Sequence, residues 1–87
     1  MKNYSNWDEV FEALTEEEKA EIRRVNYSDL NYFPDGVGDE KIIADVEQYF
    51  DDNIGESEEN CKNYGVPDAV DGVPAFTKEN FLWALNL

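Results

Sequence analysis

Carboxylate side chains dominate this sequence of 87 residues. There are 21 Asp and Glu residues against 7 Lys and Arg, which gives a net charge of −14. Self-repulsion on that scale weakens any compact state. Leu, Ile, Val and Phe together supply 21 residues, about 24% of the chain. A highly charged chain is expected to stay disordered when this share falls below ~20%, so the present share is just sufficient for folding. Twelve aromatic residues favour folding, so we expect one domain over residues 1–87 with a thin core.

The composition also argues against several classes of function. Direct binding of nucleic acid requires a basic surface, and an anionic membrane would repel this chain. The longest apolar run, Phe81–Leu85, is far shorter than the ~20 residues that span a bilayer. The first six residues lack the apolar stretch of a secretory signal, and the one cysteine, Cys61, cannot form an internal disulfide. We therefore expect a cytoplasmic protein without a membrane segment.

A first helix is predicted over residues 6–14. Ser5 and Asp8 resemble the capping box that begins many helices, with Asp in place of Glu. The apolar residues that follow have the i, i+3, i+4, i+7 spacing of a buried helix face. They are Trp7, Val10, Phe11 and Leu14.

A second helix is predicted over residues 16–26. Thr15 and Glu18 form the complete capping box, and three consecutive glutamates suit the positive end of the helix dipole. Only Ile22 and Val25 are strong apolar anchors in this helix, so its packing is less well defined than that of the first.

The clearest helix is predicted in the middle of the chain. Residues 28–33 fit a single helical turn, and residues 34–38 fit a loop because they contain Pro, Asp and two Gly. Asp39 is the predicted N-cap of a helix over 40–53, and Gly55 follows at a suitable stop position. The predicted buried stripe of this helix consists of Ile42, Ile43, Val46, Tyr49 and Phe50.

The last third predicts two short helices with a connection between them. Ser57 caps a helix that ends near Tyr64, and Thr77 caps a final helix. The apolar residues of that final helix are Phe81, Leu82, Trp83 and Leu85. Residues 66–76 are the best strand candidate, although prolines weaken it. We therefore predict an all-α fold, a small bundle of four to five short helices, with an α+β fold containing a small hairpin as the alternative.

Acidic residues are concentrated in the middle of the chain. Residues 29–71 hold 13 acids and two bases. On the predicted helix over 40–53, acids recur at spacings of four and seven residues, which would place them on one side and an adjoining strip. A further acidic run follows that helix. The predicted partner-binding acids are Glu40, Asp45, Glu47, Asp51, Asp52, Glu56, Glu58 and Glu59.

Two interpretations of this acidic surface remain open. It is either the solvated side of a helix or a surface that imitates the phosphates of a nucleic acid. A solvated side ordinarily mixes both signs of charge, because like charges at i, i+4 reduce helix stability. The scarcity of Lys and Arg here favours the second interpretation.

Residues that support catalysis are scarce. The chain has no histidine, which removes the commonest general base and metal ligand. Cys61 therefore has no histidine to activate it, and we expect it to be a small buried side chain. Two acidic stretches, beginning at Asp29 and Asp51, fail the EF-hand pattern. We expect no enzyme activity, no cofactor and no specific metal site, although weak cation binding follows from the charge.

The stretch Ser28-Asp29-Leu30-Asn31-Tyr32-Phe33-Pro34 resembles the colicin-type nuclease immunity proteins. That family carries a Ser-Asp-Leu-x-Tyr-Tyr-Pro stretch on a short third helix, followed by a loop and a fourth helix. Its members are small acidic four-helix bundles that block a toxin nuclease. The match covers about 25 of 87 residues, and Phe33 stands where the family has tyrosine. The resemblance implies that Asp29, Tyr32 and Phe33 contact a partner.

The leading functional hypothesis is a protein inhibitor that binds the basic nucleic-acid-binding surface of a nuclease or nucleoprotein complex. In size, charge and lack of catalytic residues the chain also looks like the small acidic phage and plasmid inhibitors of restriction and CRISPR systems. Aromatic residues such as Tyr49 would supply the buried anchor contacts. The alternative is an adaptor or regulator that binds its partner through an apolar groove, in which case the acids serve only solubility.

Overall fold

The computed structural model describes residues 3–27, 37–67, 69–70 and 72–87. In chain order, the elements are helix α1 (Trp7–Ala13), α2 (Glu16–Tyr27), α3 (Val37–Tyr49), a π-helix (Phe50–Ile54), α4 (Glu58–Tyr64), strand β1 (Ala69–Val70), β2 (Val73–Pro74) and α5 (Lys78–Ala84). The two strands form an antiparallel hairpin in which Ala69 is opposite Pro74. The described residues are thus mostly helical, as predicted, and they contain the small hairpin of the α+β alternative. The prediction of an all-α fold was wrong only in that it lacked this hairpin.

Aromatic side chains of α1, the π-helix and α5 meet at the centre of the core. The ring of Trp7 stacks on Phe50 with centroids 4.8 Å apart and contacts the edge of Phe76 at 4.8 Å. Phe81 is fully buried and packs on both Trp7 and Phe11. Rings in offset and edge-to-face arrangements gain energy beyond their buried area. The predicted apolar face of α1 is confirmed, since all four of its members are buried.

Three of the predicted helix caps are confirmed, and one is shifted. Thr15 and Glu18 exchange backbone-to-side-chain hydrogen bonds of 2.8 and 3.1 Å, and Ser57 and Thr77 each cap the helix that follows. At α1, however, the cap is Asn6, whose side chain accepts the N–H of Glu9 at 2.9 Å. The carboxylate of Glu9 in turn accepts the N–H of Ser5. The capping box of α1 therefore begins at Asn6, one residue later than the predicted Ser5.

The beginning and end of the middle helix also differ from prediction. The helix α3 begins at Val37, so the predicted loop over 34–38 was wrong at its last two positions. Asp39 consequently lies in the first turn rather than at the cap, and its carboxylate binds Arg23 of α2 through two hydrogen bonds of 3.0 and 2.8 Å. The helix α3 ends at Tyr49 and continues as the π-helix Phe50–Ile54, which ends at the predicted stop, Gly55, with φ +58°. The single turn predicted over 28–33 lies outside the described residues.

The helix α2 packs through fewer apolar side chains than its sequence predicted. Ile22 is fully buried, but Val25 is 41% exposed. The cationic groups of Lys19 and Arg23 lie 5.6 and 5.9 Å from the ring centre of Phe11. The apolar stems of these two residues contribute packing that a count of apolar residues misses.

The hairpin is held against α4 at its turn. The Sγ of Cys61 donates to the carbonyl of Gly72 at 3.4 Å. Gly72 has φ +82°, and a Cβ at this position would lie 2.8 Å from the backbone N of Glu58. Only glycine combines this conformation with so close an approach. Cys61 is buried, as expected.

Candidate protein-binding surface

All eight predicted partner-binding acids between residues 40 and 59 are exposed. Seven of them lie on α3, on the π-helix and at the beginning of α4, and Glu56 lies in the turn between the last two. We call this set the acidic face. The set comprises Glu40, Asp45, Glu47, Asp51, Asp52, Glu56, Glu58 and Glu59. The three other predicted contacts, Asp29, Tyr32 and Phe33, lie outside the described residues.

Packing of α3 on the core determines which of its side chains face solvent. Ile42 and Val46 are buried at 3% and 1% exposure, and their i, i+4 spacing defines the inward side. Glu40 and Glu47 lie on other sides of the helix and are exposed. They are seven residues apart, which separates them by about 10 Å along the helix axis. The predicted spacing of acids therefore holds on α3.

The π-helix changes the spacing of the acids that follow. Its characteristic i→i+5 hydrogen bond joins the N–H of Gly55 to the carbonyl of Phe50 at 2.7 Å. Phe50 and Ile54 are buried within this segment, while Asp51 and Asp52 are exposed. The α-helical spacing that was used to align Asp51 with Glu47 therefore does not apply. A π-helix has no reliable sequence signal, so this change was not predictable.

Few cations neutralise the acidic face. Lys41 pairs with Asp45 at 3.2 Å, and Lys62 pairs with Glu58 at 3.5 Å, both on the exposed surface. Asp52 accepts a hydrogen bond from the amide of Gln48 at 2.8 Å. Residues 40–62 contain the eight acids and these two lysines, which leaves a local net charge of −6. Exposed pairs of this kind contribute little stability, so both lysines are easily displaced by a basic partner.

Five acids of the face have no ion pair within the described ranges: Glu40, Glu47, Asp51, Glu56 and Glu59. These five carboxylates repel one another, and no paired cation in the described ranges compensates their charge. Because these side chains are exposed, solvent and salt screen part of this repulsion.

Two half-buried aromatic rings lie near one acid of the acidic face. Tyr49 packs on Trp83 of α5 with ring centroids 5.7 Å apart at 75°. Asp45 is the i−4 neighbour of Tyr49 along α3. Tyr49 was predicted as an anchor residue, but its pairing with Trp83 was not, because the two are 34 residues apart in sequence. Partly exposed Tyr and Trp are the residue types that most often anchor protein interfaces.

The described residues show no metal site and no membrane-crossing helix. No group of three or more His, Cys, Asp or Glu in this part of the chain is arranged to hold a metal ion. Within the same ranges, none of the helices has the length and apolar character required to cross a bilayer.

The chain matches no known protein family, no curated protein and no solved structure.

Proposed function

We propose that this chain is a non-catalytic inhibitor that binds the basic nucleic-acid-binding surface of a nuclease or nucleoprotein complex. The observation that carries the proposal is the acidic face. Eight exposed carboxylates lie between residues 40 and 59, seven of them on helices with a buried side, and residues 40–62 contain only two lysines. A solvated helix side has no need for so uniform a sign of charge.

A surface with this density of carboxylates imitates the charge that a nucleic acid presents to its binding protein. Phosphates form a regular negative array along the backbone, and a partner that binds them has a complementary basic groove. The acidic face would occupy such a groove. Its field would accelerate encounter and select basic partners over neutral ones. The resulting affinity would fall as salt rises, because both surfaces are exposed to the solvent.

Short-range contacts would come from the aromatic pair near Asp45 of the acidic face. Tyr49 and Trp83 each combine a large apolar area with a polar atom. Basic side chains of the partner could pack on these rings while they pair with neighbouring carboxylates. The resemblance of the stretch Ser28–Pro34 to colicin-type immunity proteins, and the general likeness to anti-restriction and anti-CRISPR inhibitors, suggest two settings for the same surface: protection from a toxin nuclease or attack on a nucleic-acid-guided defence.

Charge reversal on and off the acidic face tests the proposal. One variant carries Glu47→Lys and Asp51→Lys, and the matched control carries Glu12→Lys and Glu79→Lys, which are exposed acids outside the face. Both variants have the same net charge. The partner is first captured from lysate of the source or its host at low salt, then purified for titration. We expect the face variant to bind at least about tenfold more weakly, a loss of ~1.4 kcal/mol, and the control to change far less.

Two further readouts separate imitation of nucleic acid from other binding. Added duplex DNA or RNA should displace the chain from the partner, and affinity should fall steeply between low and high salt. Equal losses in both variants would show that only net charge matters. Binding that is insensitive to salt and to nucleic acid would refute the proposal.

A further inference from the structure

A second surface, separate from the acidic face, lies between α2 and the C-terminal end of the chain. It is a shallow groove with an apolar floor and an acidic rim. The floor and one wall are formed by Ile22, Leu82 and Leu87. The rim consists of Glu17, Glu18 and Glu21, which lie on the first two turns of α2. None of these residues belongs to the acidic face, so the two surfaces can be altered independently.

The groove leaves apolar surface in contact with water. Leu87 is 43% exposed, and the N–H of this residue donates to the carbonyl of Leu82 at 2.9 Å, which fixes the chain end beside the groove. Ile22 beneath it is fully buried. The exposed part of Leu87 is therefore an apolar contact that the groove can offer to a partner.

Two of the rim carboxylates, Glu18 and Glu21, are stabilised in their charged form, and Glu18 also pairs with Lys78 at 3.6 Å. The hydrogen bond that Glu18 accepts from the backbone N–H of Thr15 lowers the pKa of Glu18, and hydrogen bonding to Arg24 lowers the pKa of Glu21. The Glu21–Arg24 pair is largely exposed, with side chains 52% and 70% accessible. Such a pair is weak enough for a cation from another molecule to replace Arg24. Glu17 is exposed and has no ion pair within the described ranges.

We propose that this groove docks a basic amphipathic segment of a partner protein. The segment would place one leucine-like side chain over Leu82 and Leu87 and a Lys or Arg beside Glu17 and Glu21. The apolar floor requires an apolar anchor, and the acidic rim, within a chain of net charge −14, requires that the residues flanking the anchor be basic. Helix-in-groove recognition of this type combines both kinds of contact.

Two synthetic peptides test the groove. Both contain the same numbers of Leu, Lys and Ala. In the first peptide the leucines follow an i, i+3, i+4, i+7 pattern and form one apolar stripe, and in the second they are distributed around the helix. Each is titrated into the isotopically labelled chain and observed by NMR. We expect the first peptide to shift amide signals of residues 17–25 and 82–87, and the second to bind about tenfold more weakly or more.

Surface variants assign the effect to the groove. Leu87→Ser and Glu17→Lys should each weaken binding of the striped peptide several-fold without a change in helicity. Val70→Ser, which alters a residue 65% exposed outside the groove, should have no effect. Equal binding of both peptides, or shifts confined to residues 40–59, would overturn this inference. The variant Glu47→Lys with Asp51→Lys should leave the groove shifts intact, so failure here is distinguishable from failure of the proposed function.

Discussion

Two groups of carboxylates in this chain differ in what surrounds them. Those of the first group, which we call the structural carboxylates, each accept hydrogen bonds that cap a helix or join two helices. They are Glu9, Glu18 and Asp39. On the acidic face, by contrast, five of eight carboxylates have no ion pair in the described ranges, and the remainder have exposed, long or amide partners.

This contrast indicates that the high negative charge does not have a single cause. The structural carboxylates cap helices or join two helices, so folding accounts for them. The acidic face makes no comparable contribution to stability, because its like charges repel one another along α3 and the π-helix. A requirement outside folding, namely recognition of a basic partner, accounts for its retention. Substitution of a structural carboxylate should therefore lower stability, whereas substitution of an acid of the face that has no ion pair should leave stability unchanged or raise it slightly.

The largest effect on stability is expected at the link between α2 and α3. Asp39→Asn removes the charge that accepts two hydrogen bonds from the guanidinium of Arg23. The pair is partly buried, with side chains 19% and 39% exposed. We expect a loss of about 1–2 kcal/mol, since hydrogen bonds to charged groups contribute more than neutral ones and solvent screens part of this one. Chemical denaturation followed by circular dichroism measures the change.

The matched control for this substitution is Asp45→Asn, which breaks the exposed pair with Lys41. Its expected cost is at most about 0.5 kcal/mol, because exposed i, i+4 pairs contribute little. Equal losses for the two variants would remove the distinction between structural carboxylates and the acidic face.

Local signals in the sequence predicted most of the helices but not how they pack. Capping residues and glycine stops depend on neighbours three to five residues away, which is why Thr15, Ser57 and Thr77 were assigned correctly. The Asn6 cap was missed because adjacent Ser and Asn are equally good caps. The hairpin was given only as an alternative, because its two-residue strands carry no alternating pattern.

Exposure of the acidic residues was predictable from the sequence, but their geometry was not. Charged side chains are almost always exposed, so the positions of Glu40 and Glu47 followed from the buried stripe on α3. The π-helix depends on packing of Phe50 and Ile54 in the core, and it displaces Asp51 and Asp52 from their α-helical positions. The Tyr49–Trp83 contact and the groove between α2 and Leu87 arise from tertiary structure alone.

A smaller effect is expected in the pH dependence of stability. The backbone hydrogen bond from Thr15 lowers the pKa of Glu18 below the ordinary glutamate value of 4.5. Because the folded pKa is depressed, its stabilising contribution is present above about pH 4.5 and is lost as pH falls through the folded pKa. Glu18→Gln retains a capping-box residue but lacks the titrating group, so this part of the acid-induced loss should disappear.

The difference between the wild-type and Glu18→Gln unfolding curves from pH 6 to pH 3 isolates this contribution. Acidification also relieves repulsion throughout the chain, which is common to both proteins and cancels in the difference. Glu17→Gln is the control, since it removes an adjacent carboxylate but leaves the box intact. If Glu17→Gln and Glu18→Gln gave the same pH dependence, the charge near the helix end rather than the capping box would be the cause.

The smallest effect, and one of opposite sign, is expected on the acidic face. Glu47→Gln together with Asp51→Asn removes two charges that have no ion pair in the described ranges, so repulsion along α3 and the π-helix decreases. We expect the free energy of unfolding to remain unchanged or to rise by a few tenths of a kcal/mol, about the size of a like-charge helix pair. The rise should vanish in high salt, where the repulsion is already screened. A loss comparable to that of Asp39→Asn would mean that these carboxylates stabilise the fold, and retention of the acidic face would then require no binding partner.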